Sequence, residues 1–183
     1  NDQKITFIVK PDKGSFGRGI FLIQDPSEIS GYYTTAIAQQ YIEPYLVDEL
    51  KFDLRVYALV VSIDPLRIYL HREGLARFCT EKYEKPRDGN LELSFAHLTN
   101  YALNKNNPNF QQPTDKKGQD KSCHKRSMQS VIKQIEEELQ EKNKTNEIDL
   151  MKGIEEIIRL TVISVQPYIS SCYKTAIHVD DDK

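Results

Sequence analysis

The residues with the clearest chemical spacing lie near the N-terminus. Lys10 enters "KPDKGSFGRG", where Gly14, Gly17 and Gly19 follow in the order G-x-x-G-x-G. A P-loop is excluded, because no G-x-x-x-x-G-K-[ST] occurs. A Rossmann turn is excluded too, because the apolar run "IFLI" after the loop reads as a strand, and no helix N-terminus is offered to a pyrophosphate. Two readings remain. In one, a strand–loop–strand folds over phosphates with its backbone N–H groups while Lys10 reaches the α/β-phosphates from beneath. In the other, it is a hairpin turn whose glycines supply positive φ.

Further polar chemistry sits on segments with strand periodicity. In "KFDLRVY" the alternation puts Lys51, Asp53, Arg55 and Tyr57 on one face and Phe52, Leu54 and Val56 on the other. That charged face either lines a ligand site or carries cross-strand ion pairs. In "GLARFCT", Arg77 shares its face with Leu75 and Cys79, so a guanidinium stands in an apolar row. It requires a carboxylate or phosphate partner, either a ligand or an internal Asp or Glu. "AHLTNYALNK" has neither strand nor helix period and gathers one His, one Thr and two Asn before its final lysine, which suits ligand contacts or Asn-based turns. His97 alone is read as structural. "AQQYIEPYLV" is an apolar strand with Gln39 and Gln40, ending before Pro44.

The elements that must position these groups are legible in outline. Strands are predicted over Lys4–Lys10, Gly19–Gln24, Ala36–Ile42, Phe52–Ile63, Arg67–Arg72 and Leu75–Thr80, with a hairpin turn at "SIDPLR". "DPSEIS" has a helix start with Asp25 or Ser27 as cap. Residues 104–123 read as a loop. Two helices follow: one with Val131, Ile135 and Leu139 in a stripe, the other with Ile154, Ile157, Ile158, Thr161 and Val165, kinked or ended by Pro167. The chain thus divides in sequence order into a β-rich part (1–104), a basic loop (105–124) and a helical part (125–183), an α+β arrangement.

Bulk properties narrow the class. The 183 residues suffice for one domain or most of one, and the formal net charge of −2 gives no global attraction to nucleic acid. The three cysteines fit neither a disulfide framework nor zinc spacing, which points to a reducing compartment. The most apolar stretch, "YALVVSIDPLRIYL", is interrupted by Asp64, Pro65 and Arg67, so no membrane span is expected. The chain starts with Asn1, and a piece of a longer protein is the expectation.

Taken together, "FIVKPDKGSFGRGIFLI", "QQYIEPYLVDELKFDLRVYALV", "DPLRIYLHREGLARFCTEKYEKP" and "HLTNYALNK" resemble the tubulin tyrosine ligase-like family, in that family's order. "GLARF" with "HLTNYALNK" is most similar to its polyglutamylase branch. The resemblance implies a partial ATP-grasp fold and ATP with Mg²⁺ as cofactors. It implies that Lys10 contacts the nucleotide phosphates, that Phe16, Gly17, Arg18 and Gly19 lie on the loop over the triphosphate, and that Gln39, Gln40, Tyr41 and Ile42 form the adenine-binding strand. Lys51, Asp53, Thr99 and Asn100 match further ATP contacts, and Arg55 matches a catalytic, charge-stabilising arginine. Arg77 matches the grip on the incoming amino acid, with Tyr101 beside it and Lys125 as a further holder.

The implied reaction is ATP-dependent addition of free L-glutamate to glutamate side chains of tubulin C-terminal tails through an acyl phosphate, releasing ADP. Related alternatives are a glycine or tyrosine ligase, or an inactive microtubule-binding relative. The expected magnesium ligands lie beyond the chain end, and Asp180, Asp181 and Asp182 are read as a solvated charge run. The 183 residues alone are therefore expected to show no ligase turnover. The implied location is the cytoplasm and cytoskeleton, including a cilium or basal body. Lys116, Lys117 and Lys121, in the local basic stretch, are read either as an attraction for acidic tails or as a solvated loop.

Overall fold

The computed structural model describes residues 4–15, 17–30, 35–113, 122–143 and 149–178. Contacts group the chain into two units, one built from 1–54 and 76–126, the other from 55–75 and 127–183.

The first unit holds two sheets. β1 (Phe7–Pro11) is paired antiparallel on both sides, with β2 (Phe21–Ile23) and with β3 (Ala36–Gln40). The register sets Ile8 opposite Gln39 and Lys10 opposite Ile37, so Lys10 and Gln39 share a face. Between β2 and β3 stands a single 3-10 turn, Pro26–Ile29. Asp25 caps it by accepting from Ser27 N, and Glu28 Oε1 completes a capping box through the Asp25 N–H.

The second sheet runs in the order β4 (Leu46–Val47), β5 (Leu50–Arg55), β8 (Leu75–Phe78), β9 (Lys125–Ser127). Its two faces divide as alternation requires. Phe52 stacks on Phe78 at 5.4 Å on one face, where the Arg126 guanidinium covers the Phe78 ring at 4.0 Å. The opposite face carries the charged residues of β5 and β8. Val9, Leu22, Val47, Ala76 and Phe78 are among the buried apolar residues of this unit.

The second unit contains the antiparallel hairpin β6 (Ala58–Ile63) and β7 (Leu66–Leu70), α3 (Met128–Asn143) and α4 (Leu150–His178). The hairpin turns at Asp64-Pro65, as its sequence indicates, with a cis peptide bond. Met128, Val131, Ile132 and Ile135 form the buried stripe of α3, spaced one helical turn apart. Glu136 Oε1 accepts from Leu150 N at 2.8 Å, satisfying a donor at the start of α4.

Four expectations are corrected. Phe52–Ile63 is not one strand: β5 ends at Arg55, and β6 begins at Ala58. "AHLTNYALNK" is not wholly irregular, since α1 (Ser94–His97) and α2 (Tyr101–Asn104) each form one turn, too short for a periodicity to register. Pro167 does not end the second long helix, which continues to His178. Finally, the more sheltered row of α4 contains Ile154, Ile158, Val162 and Gln166, while Ile157, Thr161 and Val165 are exposed. An i, i+4 row fixes that choice, and Gln166 Nε2 anchors it to Ile63 O at 2.9 Å.

All three cysteines are unbridged; Cys79 and Cys123 are buried and Cys172 is exposed. Among the described residues no helix is long and apolar enough to cross a membrane.

Candidate functional site

The glycine loop uses its glycines unequally. Gly17 and Gly19 have φ of +81° and +74°, a region that side chains rarely adopt, whereas Gly14 has no such φ. Gly17 lies against Asn100: a Cβ placed there would stand 2.7 Å from the Asn100 side-chain Cγ and Oδ1. The loop hairpin is closed by Arg18 N donating to Ser15 O and Ile20 N to Gly17 O. Arg18 itself is exposed, and Phe16 lies outside the described residues.

On the face of β1 and β3, Lys10 Nζ donates to Gln39 Oε1 at 2.8 Å. Gln40, the next residue along β3, faces the other way by alternation. Tyr41 follows β3, with its N–H bonded to Thr6 O, and Ile42 is 77% exposed. Lys51, at the start of β5, donates to the Tyr41 hydroxyl at 2.8 Å and to the His97 carbonyl at 2.7 Å. It also sits 4.5 Å from the centre of the Tyr41 ring. Burial lowers the Lys51 pKa, the neighbouring Cys79 side chain and the Asp53 carboxylate act to raise it, and the charge of Lys10 adds to the lowering. Burial pushes the Tyr41 phenol upward and the Cys79 thiol up to about 12, so both keep their protons at neutral pH.

Asp53 and Arg77 meet across neighbouring strands. Arg77 Nε donates to Asp53 Oδ1 at 2.9 Å and Arg77 Nη2 to Oδ2 at 2.5 Å, a bidentate pair. Thr99 Oγ1 donates to the same Oδ2 at 2.6 Å. Of the two partners that the spacing left open for Arg77, the internal carboxylate is the one present. Lys125 lies on β9, next to β8, and is half-buried; alternation with Arg126 puts it on the Arg77 face. Tyr101 is 40% exposed and meets the Phe110 ring edge-on at 5.8 Å. Arg55, at the end of β5, is exposed and belongs to the second unit.

One chain of contacts therefore joins residues far apart in sequence: Gly17 to Asn100, Thr99 to Asp53, and Asp53 to Arg77. Two residues not assigned to the site hold that chain in place. His97 is 1% exposed, packs edge-on against the rings of Tyr41 and Tyr83, bonds Asn90 O through Nε2, and presents its carbonyl to Lys51. Asn104, also 1% exposed, accepts from Thr80 N and Thr80 Oγ1 and donates to Leu98 O and Asn100 O. It staples both one-turn helices, and a buried Asn at the end of an Asn-rich segment was the available signal.

Among the described residues no three His, Cys, Asp or Glu side chains gather as a metal cluster. Lys10, Lys51, Arg77 and Lys125 against Asp53 leave the site with excess positive charge, the balance that binds phosphates and carboxylates.

Antiparallel sheets, a glycine hairpin, a cationic strand face and two long helices define an α+β protein. A probable beta-tubulin polyglutamylase from Tetrahymena thermophila is 46% identical over 178 residues, 96% of this chain and 14% of the relative. Human tubulin polyglutamylase TTLL11 is 54% identical over 112 residues, 58% of this chain and 16% of the relative. Mouse tubulin polyglutamylase TTLL13 is 42% identical over 172 residues, 93% of this chain and 20% of the relative. The chain belongs to the tubulin-tyrosine ligase family, which matches residues 1–178 and has an ATP-grasp-like fold. It spans between 14% and 20% of the length of these curated relatives.

Proposed function

We propose that this chain is part of an ATP-dependent ligase that adds glutamate to glutamate side chains of tubulin, and that residues 1–183 form part of one ATP-grasp domain. The observation that carries this reading is the continuous chain of contacts from the glycine loop through Asn100, Thr99 and Asp53 to Arg77. It supports the reading because it links the glycine loop, read as covering phosphates, to Arg77, read as holding a carboxylate. The names of the relatives supply the substrate class.

In this reading Gly17, Arg18 and Gly19 cover the triphosphate with Phe16, and Lys10 and Lys51 offset its charge. Gln39, Gln40, Tyr41 and Ile42 border the adenine, and Thr99 and Asn100 complete the nucleotide contacts. Asp53 adds a further nucleotide contact and also meets Arg77 of the amino-acid subsite. Arg77, Tyr101 and Lys125 hold the incoming amino acid. The γ-phosphoryl group passes to a tubulin glutamate carboxylate, releasing ADP. The amine of free glutamate attacks the acyl phosphate, an amide forms and phosphate leaves. Cationic side chains fixed before reaction stabilise the charge that develops in both steps. Mg²⁺, when bound, would offset the charge of the nucleotide phosphates. Acidic tubulin tails would be attracted by the basic stretch holding Lys116, Lys117 and Lys121, which lies outside the described residues, and association with microtubules and cilia would follow.

The test is incorporation of labelled amino acids into purified microtubules by the full-length protein carrying this chain. Glutamate enters and glycine and tyrosine do not, and omission of ATP abolishes incorporation. Entry of glycine or tyrosine instead, or nucleotide binding with no incorporation, overturns the assignment. The basic stretch is tested by charge reversal at the three lysines, which weakens salt-sensitive microtubule binding if it steers the tails.

A further inference from the structure

We infer that Asp53, backed by Thr99, is a positioning residue for the amino-acid subsite, fixing the Arg77 guanidinium so that its free end receives a carboxylate. The inference rests on the reading of Arg77 as the amino-acid grip. A guanidinium has five N–H donors in a rigid plane. Asp53 takes the side edge, through Nε and one Nη2 hydrogen. Among the described residues nothing takes the end edge, where the second Nη2 hydrogen and an Nη1 hydrogen point in parallel, the spacing that suits both oxygens of a carboxylate.

The Arg77 side chain is only 18% exposed. An arginine in that position without Asp53 would have several rotamers to choose among, and each bound substrate would have to select one. Thr99 makes the clamp unequal: its hydroxyl adds a second donor to Oδ2, the oxygen facing Nη2, and so fixes the carboxylate plane that in turn fixes the guanidinium plane. With two bonds from Arg77 and one from Thr99, three of the roughly four lone-pair positions of Asp53 are committed to this assembly. Its main debt is therefore to Arg77, and its effect on a nucleotide is secondary.

The experiment is steady-state glutamylation by the full-length protein, with KM for glutamate and KM for ATP measured separately. Asp53→Asn keeps the volume but turns an N–H₂ group toward a guanidinium edge that needs an acceptor. It raises KM for glutamate roughly tenfold or more, the scale of a misplaced binding group, and by a larger factor than it raises KM for ATP. Thr99→Val, which keeps the packing, moves the same parameter in the same direction by less. Asp53→Glu restores part of the loss. A rise in KM for ATP with glutamate KM unchanged overturns the inference and leaves the ligase reading intact. So does an equal rise in both. Should Asp53→Asn fail to fold, Thr99→Val decides, and an unchanged glutamate KM there overturns the inference. Absence of glutamate incorporation by the wild-type protein overturns both readings together.

Discussion

Replacing Gly17 with alanine isolates what the glycine loop does. Its φ of +81° costs an L-residue on the order of 1–2 kcal/mol. The new Cβ would stand 2.7 Å from Asn100 Cγ and Oδ1, well inside van der Waals contact. The Asn100 backbone cannot yield, because its carbonyl accepts from Leu103 N and Asn104 N at the start of α2. Its amide side chain must rotate away, or the loop must lift. The strain is thus concentrated at the contact between the loop and Asn100, and 1–2 kcal/mol corresponds to a factor of roughly 5–30 in nucleotide affinity. Gly14→Ala is the internal control: its Cβ would meet Arg18 O at 3.4 Å and Pro11 Cγ at 3.5 Å, ordinary contact, and no positive φ is involved. The assay is equilibrium titration of the full-length protein with a fluorescent ATP analogue and Mg²⁺. Gly17→Ala loses affinity by that factor and Gly14→Ala stays within about twofold of wild type. Equal affinities for the two variants refute the claim that the loop closes over nucleotide through its left-handed residues.

Other changes act on stability. Gly74→Ala puts a Cβ 2.5 Å from the Arg55 carbonyl and 2.8 Å from Met128 Sδ, so it lowers stability by about 1–3 kcal/mol. Gly153→Ala, inside α4 with nothing within 4 Å, raises it by about 0.8–1 kcal/mol; urea midpoints moving in the same direction for both would contradict this. Asp48→Asn removes the charge partner of Arg126, whose side chain is 4% exposed, and costs about 1–3 kcal/mol. Arg126→Met, which buries no unpaired charge, costs less, and the reverse order in denaturant melts would count against the ion pair. His124 and His97 have pKa values lowered first by burial, then by the charges of Arg126 and Lys51 respectively. Between each folded pKa and the unfolded value near 6.5 the unfolded chain binds more protons, so stability falls as pH drops below about 6.5. His124→Gln, whose side-chain oxygen can accept from Gln111 N as Nδ1 does, flattens that acid slope; an unchanged slope in pH-dependent melts would remove His124 from the account.

Much of this was open to reading because strands announce their faces. The alternation in "KFDLRVY" and "GLARFCT" put Asp53 and Arg77 on compatible faces before their strands were known to be neighbours. The glycines at 17 and 19 likewise signalled positive φ. What stayed hidden was set by tertiary contacts. The two single-turn helices around Thr99 have no period of their own, and their shape comes from the buried Asn104 and His97. The choice between a ligand and an internal carboxylate for Arg77 depended on which strand lay beside β8. The sheltered row of α4 was misjudged because a helix rich in Ile and Val on several faces offers more than one plausible stripe.

The cysteines carry a practical consequence. With Cys79 and Cys123 buried and Cys172 exposed on α4, a bulky maleimide dye attaches, within residues 1–183, at Cys172 and at neither of the other two. That single label would give a fluorescence or spin probe on the long helix, ready for distance measurements against a labelled nucleotide.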